Sequence, residues 1–406
     1  MAQTFSMISA SRLFKTYFGK KTDQVYNNAN VVLARIKKTH DLKGLIHIQA
    51  VPTTFSGSVG GYKNNKLPQA SISNPEQMQI TSKRRYARAK IDREAMKTAM
   101  AEGDSAFVNL MKHVVEKAVE SFTRDLTRQV FSDGTGSLGE VASVAGTAPL
   151  PVITVSVATF KAANWEENDY VNVGSDESLF NVLDVDEDTR EVSLERLEGS
   201  LDATAATAGT PVYMQNSENA DITGLKGVLD ATSGTIYGVP VSRRWSATQE
   251  DAGGAGITVD RLNKVMLNIK RKCGKSPNLI IASYDQFRKL LALLENDKQY
   301  SIESRDKSAI MKNGKVLSFP AVQFLSVDGV VPVVIDRFVE ADRIYLVNDN
   351  HIELKHRPGS FGWIEEDGTV FLREQDTDTY EARYGGYLEL VILPSFHGVI
   401  SNLSVT

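Results

Sequence analysis

The chain has one cysteine, Cys273, so it can form no internal disulfide, and a lone thiol fits synthesis in a reducing compartment. Long apolar runs are also missing. No window approaches the roughly 18 to 20 apolar residues of a membrane-spanning helix, and the first 22 residues lack the apolar block of a secretory signal. Those residues lack acids too and carry Arg12, Lys15, Lys20 and Lys21, the pattern of a basic N-terminal arm. Histidine is scarce and badly spaced for metal: His351 and His356 stand five apart, while His47 and His113 belong to other elements. Zinc binding and histidine acid–base catalysis are left without a candidate, and no internal repeat is visible.

What is present describes a globular, cytoplasmic chain. Hydrophobic content of 42% and charged content of 24% are ordinary for a folded protein, which argues against extensive disorder. A length of 406 residues exceeds what one compact core usually holds, so one elaborated domain or two to three subdomains are expected. The net charge of −4 conceals a strong asymmetry. Residues 1–100 hold 17 Lys and Arg against 5 Asp and Glu, whereas residues 148–216 hold 3 against 13. Two such segments suit different partners: nucleic acid or acidic sister surfaces for the first, solvent away from nucleic acid for the second.

Two extended segments, Gly44–Val59 and Gln77–Ile91, flank a tip rich in turn formers, including Gly57, Gly60, Gly61, Asn64, Asn65, Pro68, Asn74 and Pro75. A two-stranded ribbon is marginal in water. The returning strand carries Lys83, Arg84, Arg85, Arg88 and Lys90 on both faces, so the hairpin is expected to lie on another surface. A long amphipathic helix follows over about Ser105–Phe131. Phe107, Leu110, Met111, Val114, Ala118, Phe122, Leu126 and Val130 recur at spacings of three and four. Asp104 supplies an N-cap, and Ser132-Asp133-Gly134-Thr135-Gly136 ends the helix.

Residues 148–216 read as an inserted small β subdomain. Val152–Val155, Tyr170–Val173, Phe180–Val185, Glu191–Leu194 and Pro211–Met214 are short strands whose spacing predicts a small barrel or curled sheet. Helical patterns at Val259–Cys273 and Tyr284–Leu294 then flank a buried-strand run at Asn278–Ala282. Strands dominate the remainder: Val316–Phe319, Val330–Ile335, Arg343–Val347, Ile352–Lys355, Val370–Arg373 and Tyr387–Leu393. The fold class is α+β, with mostly antiparallel sheet.

Enzyme signatures fail on their physics. Cys273-Gly274-Lys275-Ser276 ends like a phosphate-binding loop, but Ile269 stands where the first glycine is required and the stretch closes a helix. Gly103-Asp104-Ser105 resembles a nucleophilic serine context without the strand that would set up an elbow, and helix capping accounts for it. Asp184, Asp186, Asp188 and Glu195 match calcium-loop positions, yet Thr189 replaces the glycine that the loop needs, so a hairpin turn is expected. No catalytic, cofactor-binding or metal residue is assigned; a hydrolase of unknown type is the weakest of the readings.

The order of parts, a basic arm, a hairpin, a spine helix ending in Phe131-Ser132-Asp133-Gly134-Thr135-Gly136 and a mixed α/β region, resembles the major capsid proteins of tailed bacteriophages, which have the Hong Kong 97-type shell fold. Val330–Ile335, Asp342–Asn348 and Glu389–His397 are similar to that family's closing strands. The resemblance implies an N-arm at 1–44, an extended loop at 45–90, a peripheral domain at 91–147 with return strands at 346–385, an axial domain at 217–345 and 386–406, and an outward insertion at 148–216. It implies self-assembly into pentamers and hexamers of an icosahedral virion shell made in the host cytoplasm. Implied partners are a portal protein, scaffolding or decoration proteins, and packaged double-stranded DNA held without specificity. Lys63, Lys66, Arg84, Arg85 and Arg88 are the candidate inter-subunit contacts; no crosslink acceptor is identified. A cellular nanocompartment shell of the same fold is the alternative.

Overall fold

The computed structural model describes residues 30–405, apart from residues 45, 54–56, 63–65, 73–74, 95–96, 98–103, 147–149, 158, 176–177, 200–205, 298–310, 313–314, 317–321, 327–328, 366–368 and 375–376. From Asn30 the chain forms helix α1 (Val31–Arg35), strand β1 (Lys37–Thr39), the hairpin strands β2 (Ile46–Val51) and β3 (Glu76–Thr81), strand β4 (Lys83–Asp92) and the long helix α2 (Asp104–Val130). Six strands follow: β5 (Ser137–Ala145), β6 (Val152–Val155), β7 (Tyr170–Val173), β8 (Leu179–Asp186), β9 (Glu191–Glu198) and β10 (Pro211–Met214). Next come α3 (Leu225–Leu229), β11 (Thr235–Ile236), β12 (Val239–Pro240), β13 (Thr248–Asp251), α4 (Val259–Cys273), β14 (Leu279–Ala282) and α5 (Tyr284–Asp297). The last part contains β15 (Met311–Lys312), β16 (Lys315–Val316), β17 (Val322–Ser326), β18 (Gly329–Ile335), β19 (Ile344–Val347), β20 (Ile352–His356), β21 (Gly362–Trp363), β22 (Leu372–Arg373), β23 (Thr379–Ile392) and β24 (Gly398–Ser401).

Strand β23 organises the first six-stranded sheet. It pairs with β20, which pairs with β1, and it also carries β4, β21 and β22. The antiparallel β4–β23 ladder runs from Asp92↔Thr379 to Lys83↔Leu388. Helix α2, about 40 Å long at 1.5 Å per residue, packs Val119, Phe122, Leu126 and Val130 into one core with Tyr384, Leu388 and Leu390. This is the expected spine helix, with one difference. In its middle turns the buried positions are Val115 and Val119, while Val114 and Ala118 are only half-buried. The side chains of Phe107, Leu110 and Met111 lie outside the described residues.

Two glycines let β23 thread this sheet. Gly385 and Gly386 have φ of 143° and 152°, which side-chain-bearing residues rarely adopt. A methyl on Gly386 would lie 1.9 Å from the Ser360 carbonyl oxygen, and one on Gly385 would lie 2.1 Å from that of Arg85. Gly386→Ala is therefore expected to destabilise the subunit by about 3 kcal/mol. A melting shift of less than about 2 °C in the unassembled subunit would show that the strand relaxes freely.

The second six-stranded sheet has the order β13-β24-β19-β14-β18-β17. All four residues of β14 are buried, as the apolar run at 279–282 predicts. Helix α4 covers one face with Leu262, Val265, Met266 and Ile269; Thr258 caps its start and Gly274, at φ 76°, ends it. The strand expected at Tyr387–Leu393 is the end of β23 in the first sheet, and β24 closes the second.

A closed barrel, β10-β5-β6-β9-β8-β7, interrupts the body between α2 and α3. Its alternating residues Val141, Ile153, Val171, Phe180, Leu194 and Val212 fill a separate core. The barrel takes in Ser137–Ala145, which sequence reading placed with the spine helix, because Leu138 and Val141 alternate inward just past the helix stop. At the β8–β9 turn, Asp186 Oδ1 accepts from the Asp188 and Thr189 amides at 2.9 and 3.1 Å, so the calcium-like stretch is a hairpin turn.

Residues 30–42 are core rather than arm. Val31, Val32, Leu33, Ile36 and Leu42 are buried, β1 runs parallel to β20, and Asn30 Nδ2 donates to Asp336 at 2.7 Å. The spacing of Val32, Leu33 and Ile36 is the local signal for this burial. The part of the arm before Asn30 lies outside the described residues.

Candidate assembly surfaces

The hairpin is anchored at its base and bare beyond it. Strands β2 and β3 pair from Ile46↔Thr81 to Val51↔Glu76. Strict alternation puts Val51, Met78 and Ile80 on the inward face, and all three are buried in the main core. Polar ties reinforce the base: the Gln79 amide donates to the Tyr237 carbonyl at 2.8 Å, and Lys355 Nζ reaches Asp41 at 3.1 Å and Gln49 at 3.4 Å. On the outward face Ile46 and Ile48 are more than half exposed. Toward the tip Val59, Tyr62, Leu67 and Ile72 are 93%, 67%, 80% and 87% exposed, too much apolar surface for a two-stranded ribbon to leave in water. Sequence reading expected a hairpin wholly without its own core, and that holds for the tip alone. Lys66 is exposed there, and Lys63 lies outside the described residues.

Strand β4 is sorted by its alternation. Arg84, Tyr86, Arg88 and Lys90 point outward, whereas Arg85, Ala87, Ala89 and Ile91 turn toward the body. The five cations of this strand therefore divide, and Arg85 must be removed from the candidate inter-subunit contacts. Its guanidinium bonds Ser217 Oγ and Asp221 Oδ1, both at 2.8 Å, and Asp125 Oδ2. Arg128 closes the ring, reaching Asp125 Oδ1 at 2.8 Å and Asp221 Oδ2 at 2.6 Å. Burial opposes the Asp125 charge, but the Arg128 and Arg85 guanidiniums outweigh it and hold that carboxyl well below the usual range.

The outward cations are positioned within the chain but remain accessible. Arg88 bonds Glu381 and, at 3.4 Å, Glu374, which also binds Lys90 at 2.8 Å. Arg84 and Arg357 each sit 5.2 Å from the centroid of the Tyr387 ring. Among the described residues, Arg84 and Arg88 keep their place as candidate contacts.

Two charge clusters fix the barrel to the body. Arg124 on α2 binds Glu166 at 2.7 Å and also Asp169. Glu340 accepts from Lys161 of the barrel at 2.9 Å, Lys226 at 3.2 Å and the Tyr345 hydroxyl at 3.0 Å. Burial would raise the Glu340 pKa, yet these cations bring it down to about 2. Beneath the first sheet, Glu389 is buried with the Thr223 amide donating at 2.7 Å, and burial pushes its pKa up to about 8.

Among the described residues no group of three or more His, Cys, Asp or Glu side chains converges as metal ligands would, and no helix is long and apolar enough to cross a membrane. The Cys273-Gly274-Lys275-Ser276 stretch begins at the last residue of α4, the wrong helix end for phosphate.

Comparison with known proteins gives a consistent result. Residues 98–361 match the SU10 major capsid protein family. No curated protein matches the chain. Among solved structures, the capsid asymmetric unit of cyanophage A-1(L) is 12% identical and aligns with a TM-score of 0.51 over 94% of this chain and 93% of that one. The capsid of an empty GTA particle is 10% identical, with a TM-score of 0.46 over 91% of this chain and 89% of that one. The holo-SrpI encapsulin complex of Synechococcus elongatus is 9% identical, with a TM-score of 0.46 over 93% and 88% of the two chains. On its likeness to the cyanophage A-1(L) capsid, the α+β architecture is the Hong Kong 97-type shell fold. Matched over most of its length, the chain belongs to the SU10 major capsid protein family and is a structural, self-assembling shell protein of the virion.

Proposed function

We propose that copies of this chain close into an icosahedral shell around the double-stranded DNA genome of a tailed phage, after synthesis in the host cytoplasm. The exposed apolar tip, with Val59, Leu67 and Ile72 each at least 80% accessible on an anchored base, is the observation that carries this reading. Such a tip rests on the adjoining subunit, and each subunit both gives and receives one. Heterologous contacts of this kind close into rings of five and six. Many linked weak contacts then hold each subunit through effective concentration. No chemical reaction is required of the chain.

The finer assignments follow from this. Residues 1–29 act as the arm, the first sheet with α2 as the peripheral domain and the second sheet as the axial domain. The barrel, with its excess of acids, faces outward, away from packaged phosphates. Its ion pairs with the body make it a fixed ornament, available to a decoration protein. Portal and scaffolding proteins complete the partner set, as a genome shell of this kind needs an entrance and a template.

Replacing Gly57–Ile72 with a short Gly-Asn-Gly turn is expected to leave subunit melting unchanged, because Met78 and Ile80 stay in place, and to abolish shells in sedimentation and electron microscopy. Shells of normal size from this variant would sink the reading. Intact wild-type particles that enclose protein cargo and no nucleic acid would redirect it to a cellular compartment.

A further inference from the structure

One surface gathers the cations Arg243, Arg271, Lys272 and Lys275, for which no ion pair is seen among the described residues. The last turn of α4 carries Lys270, Arg271 and Lys272, and Lys275 follows its cap. The turn containing Arg243 is drawn against them, since Lys272 Nζ donates to the Ser246 carbonyl at 2.6 Å and to Ser246 Oγ at 2.8 Å. Lys275 sits 5.9 Å from the Phe396 ring, and neighbouring Ser395 donates to the Arg244 carbonyl, which closes the cluster. Arg243, Arg271 and Lys275 are exposed and Lys272 is half-buried.

Their partners are neutral. Arg271 bonds Asn268 at 3.0 Å, Lys272 bonds backbone and hydroxyl oxygens, and Lys275 meets a ring. Elsewhere, by contrast, Lys37, Lys117 and Lys264 pair with Glu353, Glu120 and Glu250 at 2.7–2.8 Å. Burial lowers the Lys272 pKa from its ordinary value, and the nearby Arg243 guanidinium adds a smaller push the same way. A helix C-terminus attracts cations in its last turn. That explains Arg271 and Lys272 but neither Arg243, from another segment, nor Lys275, beyond the cap. Leu267 is the only exposed large apolar side chain on α4. A protein-binding core would reverse this balance, being depleted in charge and rich in aromatics.

We propose that Arg243, Arg271, Lys272 and Lys275 form a contact surface for the phosphate backbone of duplex DNA, read without sequence preference. This deepens the genome-enclosing reading by naming a face that would meet the genome. Phosphate contacts by Lys and Arg release counterions, so affinity falls with salt at a slope of about 0.9 per contact.

The test uses the unassembled full-length subunit, a labelled mixed-sequence DNA duplex and fluorescence anisotropy between about 50 and 200 mM salt. Arg243→Ala/Arg271→Ala/Lys275→Ala is expected to weaken binding about tenfold or more at the low end and to reduce the salt slope by about 2 to 3. Lys272 is kept because it supports Ser246. Lys37→Ala/Lys117→Ala/Lys264→Ala removes the same charge from paired lysines and should keep the wild-type slope. Equal losses in the two variants would reduce the effect to net charge and overturn the proposal. Wild-type DNA binding with failed shell formation in the first variant would also overturn it, making the patch a contact between copies. Shells found empty of nucleic acid would sink the genome reading while leaving a positive binding result in force.

Discussion

Asp221→Ala is expected to destabilise the unassembled subunit by about 3 to 5 kcal/mol, among the largest effects of any single side chain here. Asp221 is fully buried, and its two oxygens receive Arg85 at 2.8 Å and Arg128 at 2.6 Å. Removing it leaves two guanidiniums facing one carboxylate, Asp125, in a site with little access to water. Breaking a buried pair is far more damaging than never having had one, because the surviving charge is stranded without solvent. Asp221, on the segment that follows β10, also ties that segment to β4 through Arg85 and to α2 through Arg128, and both ties are lost together. Urea unfolding of Asp221→Ala beside Arg88→Ala provides the comparison, since Arg88 is half exposed and should contribute within about 1 kcal/mol. Equal losses from the two would mean that the buried ring is no more important than an accessible pair.

Glu389→Gln should do almost nothing below about pH 4.5 and stabilise the subunit increasingly as pH rises toward 8. With a folded pKa of about 8 against an ordinary value of 4.5, the native state holds its proton more tightly than the unfolded chain does. Stability associated with this group is therefore fully present below about pH 4.5 and is lost as pH rises through 8. At 1.36 kcal/mol per pH unit the loss is on the order of 3 to 5 kcal/mol. Glutamine keeps an oxygen for the Thr223 amide, which now donates at 2.7 Å, and carries no charge to desolvate. Melting of both proteins from pH 4 to 9 should show curves that coincide near pH 4, separate as pH rises toward 8 and keep a constant offset above it. Parallel curves throughout would mean that Glu389 is ionised when folded, with Lys83 compensating it.

Local pattern carried much of this fold into view before any coordinates. The helix 259–273 and the barrel strands could be read because their apolar periods are short and their caps and turns are adjacent in sequence. The fate of β4 could not, since its partner residues 379–388 lie nearly the whole chain away. A usable signal was present even so. Arg85, Ala87, Ala89 and Ile91 alternate with Arg84, Tyr86, Arg88 and Lys90, a period of two that a reading by charge count alone passed over. The burial of Arg85 depends on Asp221, which no spacing rule connects to it. The bare tip was similarly half-legible: its turn formers were noticed, whereas Val59, Tyr62, Leu67 and Ile72, scattered among them, carry its adhesive character. The patch on α4 was obscured because Arg243 joins it only through the turn at Ser246.

The long-range ladder between β4 and β23 sets a clock for synthesis. While a ribosome is still making the chain, the barrel can close on itself, for its strands β5 to β10 are near neighbours in sequence. The first sheet must wait, because β4 gains its partner only when residues 379–388 have emerged. Until then the core around Phe122 and Leu126 lacks Tyr384, Leu388 and Leu390, and the nascent chain presents a finished ornament on an unfinished body. A complete seat for a neighbouring subunit thus exists only after residues 379–388 have been made and paired, so topology orders the maturation of the subunit's surfaces.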